Sequence, residues 1–123
     1  MTEHLNHFIE GVSCEAFDRR RINLVNPVNE QVYGSSARGT REDVDRAVAA
    51  ARQQLERGEW SQLDGAARGR LLSKLADLVE RDTELLADLD ANAIGRSPIE
   101  PRRMDLPNAI ANLRAAAGWA NQL

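Results

Sequence analysis

The chain has 123 residues, 42% of them apolar, 28% charged and 4% aromatic, with a formal net charge of −3. That length suits one ordinary domain, or a piece of one, and excludes a cofactor domain joined to a separate substrate domain. The acidic balance supplies no basic face to displace counterions from nucleic acid, and no apolar run approaches the roughly 20 residues needed to span a bilayer.

The first half begins with strand-like segments over 7–33. "HFIEG" ends at Gly11, "RINLVNP" alternates at Ile22 and Leu24, and "EQVYG" follows a turn built on Asn26, Pro27 and Asn29. A small sheet or hairpin is expected there. After Gly39 the period changes: Val44, Ala47, Val48, Ala51 and Leu55 fall on one helical face. Thr40 and Asp43 have the spacing of a capping box, with Asp in place of the more usual Glu, and Gly58 reads as a left-handed stop.

Helical patterning then continues over 40–122, broken by caps. Asp64 is the expected N-cap of a second helix carrying Leu71, Leu72, Leu75, Leu78 and Val79. Asp82 restarts a third, with Leu85, Leu86 and Leu89 expected to be buried and Gly95 expected to end it, Pro98 and Pro101 barring continuation. A fourth begins at Asp105, with Pro107 in the first turn where a missing N–H costs nothing, and presents Ile110, Leu113 and Ala117. The leucine faces read as core with a solvated back; a partner groove is the alternative. The fold class expected is therefore mainly α with an N-terminal β-hairpin.

Reacting groups are sparse. The glycines form neither a GxGxxG turn after a strand nor a phosphate loop. Cys14, the single cysteine, has no disulfide partner and reads as structural, because "VSCEAF" offers no base and sets Glu15 beside the sulfur. His4 and His7 read as solvated terminal histidines rather than metal ligands. Asp43 with Asp45, and Asp88 with Asp90, stand two apart and so point to different sides of a helix, which suits surface charge and capping rather than a shared proton. Trp60 and Trp119 are expected to dock helix ends. With one cysteine and an N-terminus "MTEHLNHFIEG" lacking a basic start and a long apolar stretch, the expected compartment is the cytoplasm.

The order of short blocks carries more information than any one residue. "FIEG" at 8–11, "VNP" at 25–27, "EDVDRAVAAAR" at 42–52, "GEW" at 58–60, "RGRLLSKLADLVERD" at 68–82, "MDLP" at 104–107 and "AGWAN" at 117–121 resemble, in order and spacing, the N-terminal portion of NAD(P)-dependent aldehyde dehydrogenases. The resemblance implies that residues 1–123 are a partial N-terminal region of such an enzyme, part of its α/β Rossmann-like cofactor domain. It implies a scaffold: the family's oxyanion-holding asparagine, cofactor lysine, glycine-rich segment, glutamate base and cysteine nucleophile match no position here. No residue is thus assigned as catalytic, cofactor-binding or metal-binding, and no cofactor is expected to bind this chain alone, NAD or NADP serving the full-length family. The expected partner is the remainder of an aldehyde dehydrogenase or another subunit. The other reading is a non-catalytic helical interaction protein derived from that scaffold.

Four positions depart from the family's pattern. Glu30 stands where the turn after Asn-Pro usually has glycine, so any positive φ is expected at Asn29. Ala93 precedes "IGRSP" where the family often has an aspartate, which sometimes assists a structural monovalent cation, so no cation site is expected here. Ala115 and Ala116, behind Arg114, replace paired tyrosines, which weakens docking onto a neighbouring domain.

Overall fold

The computed structural model describes residues 3–120 and 122, and divides between Ser61 and Gln62 into two compact units. The first holds five short strands: β1 (Glu3–Leu5), β2 (His7–Ile9), β3 (Val12–Cys14), β4 (Arg21–Val25) and β5 (Val32–Ala37). A three-stranded sheet runs β1-β5-β4, with β1 parallel and β4 antiparallel to the central β5. Separately, β2 and β3 form an antiparallel hairpin pairing His7 with Cys14 and Ile9 with Val12. Its two turn residues, Glu10 and Gly11, both have positive φ, at 55° and 78°, the backbone that lets a two-residue turn follow the twist of its strands.

The strand region thus extends beyond 7–33 on both sides. Residues 3–5 pair in parallel with a segment about 30 residues away, which alternation alone does not signal. Cys14 ends β3. The turn between β4 and β5 uses Asn26 and Asn29 as expected, their side-chain oxygens accepting from the amides of Val28 and Gln31. The left-handed residue, however, is Glu30 at φ 58°, not Asn29. Asn29 is occupied as an acceptor for Gln31, so the glycine-like conformation falls on the residue that replaces glycine.

Helix α1 (Arg41–Arg57) begins as expected, with Thr40 and Asp43 in a reciprocal capping box. It ends differently. Gly58 is extended, at φ −75° and ψ 162°, rather than left-handed, because the chain turns at once into the four-residue helix α2 (Glu59–Gln62). Space explains the glycine: a Cβ there would lie 2.5 Å from the Gln54 Cα and 2.6 Å from its carbonyl oxygen.

The second unit is helical. Asp64 caps α3 (Gly65–Arg81), accepting from the Ala67 amide at 2.7 Å. Asp82 then joins α3 to α4 (Thr83–Ile94), which ends on left-handed Gly95 at φ 72°. The helix does not continue through Pro98 and Pro101; helical structure resumes instead, and Pro101, fully buried, opens a π-helical turn (Pro101–Asp105) that runs into α5 (Leu106–Trp119). Proline is tolerated at a first turn, where its missing N–H has no partner to lose.

The core of this unit is built from small residues: Gly69 and Ala76 on α3, Ala87 and Ala91 on α4, Pro101, then Ile110 and Ala117 on α5. The stripe that α3 turns inward is Gly69, Leu72, Ala76 and Val79, all buried or half-buried. Leu71, Leu75 and Leu78 lie on the adjacent stripe and are exposed, as are Leu85 and Leu89 on α4. Of the leucines expected inside on these two helices, Leu72 and Leu86 are half-buried and the rest are exposed. Trp60 and Trp119, expected to dock helix ends, are 44% and 64% exposed.

Candidate functional site

Within the first unit the most constrained group is Asp43. Its residue is 3% exposed, and its carboxylate accepts from the Thr40 amide and hydroxyl, each at 3.0 Å, and from the Phe17 amide, at 3.1 Å to both oxygens. One side chain therefore caps α1 and also ties down the loop after β3. The Thr40 amide bond is the largest influence holding this carboxyl below its usual range; burial opposes it, while the Phe17 amide, the Thr40 hydroxyl and charge on His7 reinforce it. Sequence spacing revealed the cap. The Phe17 contact, across 26 positions, has no sequence signal.

His4 and His7 do not meet at one site. On β1, the His4 Nδ1 lies 2.8 Å from the Ser35 hydroxyl, which also accepts from the Arg21 Nε at 2.7 Å. Arg21 further donates to Asn6 and to the carbonyls of Leu5 and Ser35, cross-linking β1, β4 and β5. On β2, His7 turns instead toward Asp43, its Nε2 lying 3.8 Å from the carboxylate. Cys14 receives a hydrogen bond from the Arg46 guanidinium at 3.0 Å. Among the described residues, no three His, Cys, Asp or Glu side chains gather as a metal-holding group.

A groove of about 600 Å³ lies between the β2–β3 turn and α1, lined by Phe8, Ile9, Glu10, Gly11, Ala47 and Ala51 among others. The second unit has a shallower cleft of about 580 Å³ between α3 and α5, with Arg70, Ser73, Lys74 and Asp77 facing Arg114 and Gly118. Arg114 is held there by Glu80 at 2.6 Å and Asp77 at 3.1 Å, both of which push its pKa further up. Its neighbours Ala115 and Ala116 leave the flank of α5 without bulk. Ala93 is exposed on α4; nearby, Arg96 bridges Asp90, at 2.5 Å, to Asp105. Of the paired aspartates, Asp45 meets Arg41 at 3.7 Å and Asp88 meets Arg102 at 3.7 Å, both on the surface. These are cross-links of a scaffold.

What this scaffold turns outward is apolar. Phe8, Phe17, Val28, Leu55, Leu85, Ile99 and Met104 are all more than half exposed. Single exposed apolar residues are ordinary, and here both units carry several.

Residues 14–123 match the model of the aldehyde dehydrogenase family. The chain belongs to the aldehyde dehydrogenase family. It is 42% identical over 118 residues to an aldehyde dehydrogenase of Emericella nidulans, covering 96% of this chain and 22% of that protein. With aldehyde dehydrogenase 1A1 of Ovis aries it shares 43% identity over 117 residues, 94% of this chain and 23% of the relative. The NAD-dependent aldehyde dehydrogenase of Sinorhizobium meliloti superposes with a TM-score of 0.93 at 30% identity, over 100% of this chain and 24% of that one. An NAD+ complex of an aldehyde dehydrogenase from Bacillus cereus gives a TM-score of 0.92 at 35% identity, over 95% and 24%.

The chain thus spans about a quarter of the length of the relatives it matches and corresponds to their N-terminal portion, within the NAD-binding Rossmann-like domain. No helix among the described residues is long and apolar enough to cross a membrane.

Proposed function

We propose that this aldehyde dehydrogenase segment acts as scaffold for NAD(P)-dependent oxidation of an aldehyde to a carboxylate, seated in the cytoplasm against the rest of such an enzyme and inactive by itself. The observation that carries this reading is the row of exposed leucines beside the buried small-residue stripe of α3 and α4. Burying an apolar side chain yields roughly 1.5–3 kcal/mol, so such rows favour a covering surface.

The chemistry of the family reaction is thiolate attack on the aldehyde carbon, hydride transfer to the cofactor and hydrolysis of the thioacyl enzyme. The residues of this chain do not fit the cofactor. In the groove beside α1 the charged lining residue is Glu10, which repels a pyrophosphate, and the groove lies along the middle of the helix rather than at its N-terminus. The cleft beside α3 has cations but no glycine-rich turn following a strand. This chain's own residues supply instead the capped helices and cross-links that fix the outer faces.

The test is reconstitution. The 123-residue chain is assayed for aldehyde-dependent reduction of NAD+ and NADP+, alone and when co-expressed with the part of the Bacillus cereus relative that it does not match. Expected are no turnover alone, and a co-purifying complex with turnover. Aldehyde oxidation by the chain alone overturns the reading; failure of the two parts to associate favours a separate helical interaction protein.

A further inference from the structure

The imidazole of His7 presents an unusual pairing of burial and vacancy. Its Nε2 is shut off from solvent and makes no hydrogen bond, although it stands only 3.8 Å from the Asp43 carboxylate. The Asp43 oxygens already accept from Thr40 and Phe17, so a neutral imidazole gains little by coming closer. A buried polar atom left without a partner costs free energy, whereas a charged donor facing a carboxylate recovers it.

We propose that His7 and Asp43 form a pH-dependent latch, in which protonation of the imidazole pins the β2–β3 hairpin onto the first turn of α1 and loss of that proton releases it. His7 is positioned for this by its strand: β2 is the strand that packs on α1, and the recess between them is lined by His7, Phe8, Ile9, Gly39, Asp43 and Val44. On α1, Asp43 is the carboxylate that faces the imidazole, and Arg46 lies one turn further on. Arg46 is held at the sulfur of Cys14, the residue of β3 paired directly with His7. The β5–α1 connection contributes Gly39 and the uncharged Thr40. Asp43 is buried and anchored on both sides, while Arg46 is exposed.

Histidine is the side chain whose charge ordinarily changes between about pH 5 and 8. Asp43 stays ionised through that interval, since its own contacts hold its carboxyl below the usual range. The hairpin also walls the groove lined by Phe8 to Gly11, so the latch sets how firmly that wall is held.

Amide hydrogen exchange on the 123-residue chain tests the latch, with intrinsic rates corrected at about pH 5.5 and about pH 8. Residues 7–14 are expected to be protected about threefold or more at the lower pH relative to the higher, the size of a partly exposed ion pair. His7→Gln should abolish the difference and His4→Gln, the other histidine, should keep it. A pH response that survives in His7→Gln overturns the proposal, as does equal protection, or none, at both pH values in the unaltered chain.

Discussion

Gly69 on α3 faces the Ala117 carbonyl oxygen on α5 so closely that a Cβ at position 69 would lie 2.7 Å from it. The obstructing atom is backbone, so relief requires moving a whole helix. Gly69→Ala is therefore expected to destabilise the second unit by about 1–3 kcal/mol despite the better helix propensity of alanine. Urea unfolding of the variant measures this. Gly118, also on α5, would meet nothing within 4 Å, so Gly118→Ala should stabilise by about 0.5–1 kcal/mol in the same experiment. An equal effect of the two substitutions would contradict the close approach of α3 and α5.

Asp43 makes the first unit sensitive to acid. A carboxyl whose folded-state pKa is depressed contributes stability that is fully present above its unfolded value of about 3.9 and is lost as the pH falls through the lowered folded value. The Thr40 amide is the main cause of the depression here. In a His7→Gln background, where the latch is absent, the difference in unfolding midpoint between Asp43 and Asp43→Asn should then be flat from about pH 5 upward and shrink below about pH 4. Thr40→Ala, which removes the reciprocal half of the cap, is expected to cost about 1 kcal/mol at neutral pH.

Much of this behaviour was legible in the sequence, where the determining chemistry is local. Thr40 with Asp43, Asp64, and Gly95 were each readable because a cap satisfies backbone groups within a few residues of itself. Gly58 was readable as a stop but not in its conformation, which depends on what the chain does next. The faces of the helices were harder. Periodicity shows that Leu71, Leu75 and Leu78 share a stripe, but not whether the covering surface lies in the same chain. Here the inward stripe is the less conspicuous one, Gly69 to Val79, because α5 approaches closely only over small side chains. The parallel pairing of β1 with β5, the contact of Asp43 with Phe17 and the vacancy at His7 all depend on distant partners, and none leaves a local mark.

Ser35 is buried at 7% exposure beneath the Arg21 side chain, and its hydroxyl serves both Arg21 and His4. Ser35→Ala removes an acceptor from a guanidinium, and a hydrogen bond to a charged group contributes about 1.5–3 kcal/mol. The remaining carbonyl partners of Arg21 place the expected loss near the lower end, about 1.5 kcal/mol. Exchange protection should fall across β1, β4 and β5 while α3–α5 stay unchanged.

The outward apolar residues should behave oppositely. Leu85→Gln and Trp119→Ser replace side chains that are 61% and 64% exposed, so each is expected to change the stability of the chain by less than about 0.5 kcal/mol. Both should weaken co-purification with the unmatched part of an aldehyde dehydrogenase. A large loss of stability in the isolated chain would place these residues in its own core.

The split between a small-residue interior and an uncovered leucine exterior also bears on synthesis. Translation runs from the N-terminus at about 5–20 residues per second, so in the relatives the portion that this chain matches leaves the ribosome before the rest of their length is made. Ala76, Ala87, Ala91, Pro101 and Ile110 allow the helices to close on one another during that delay. The exposed leucines are then the surface through which a nascent segment that stands uncovered aggregates with its neighbours.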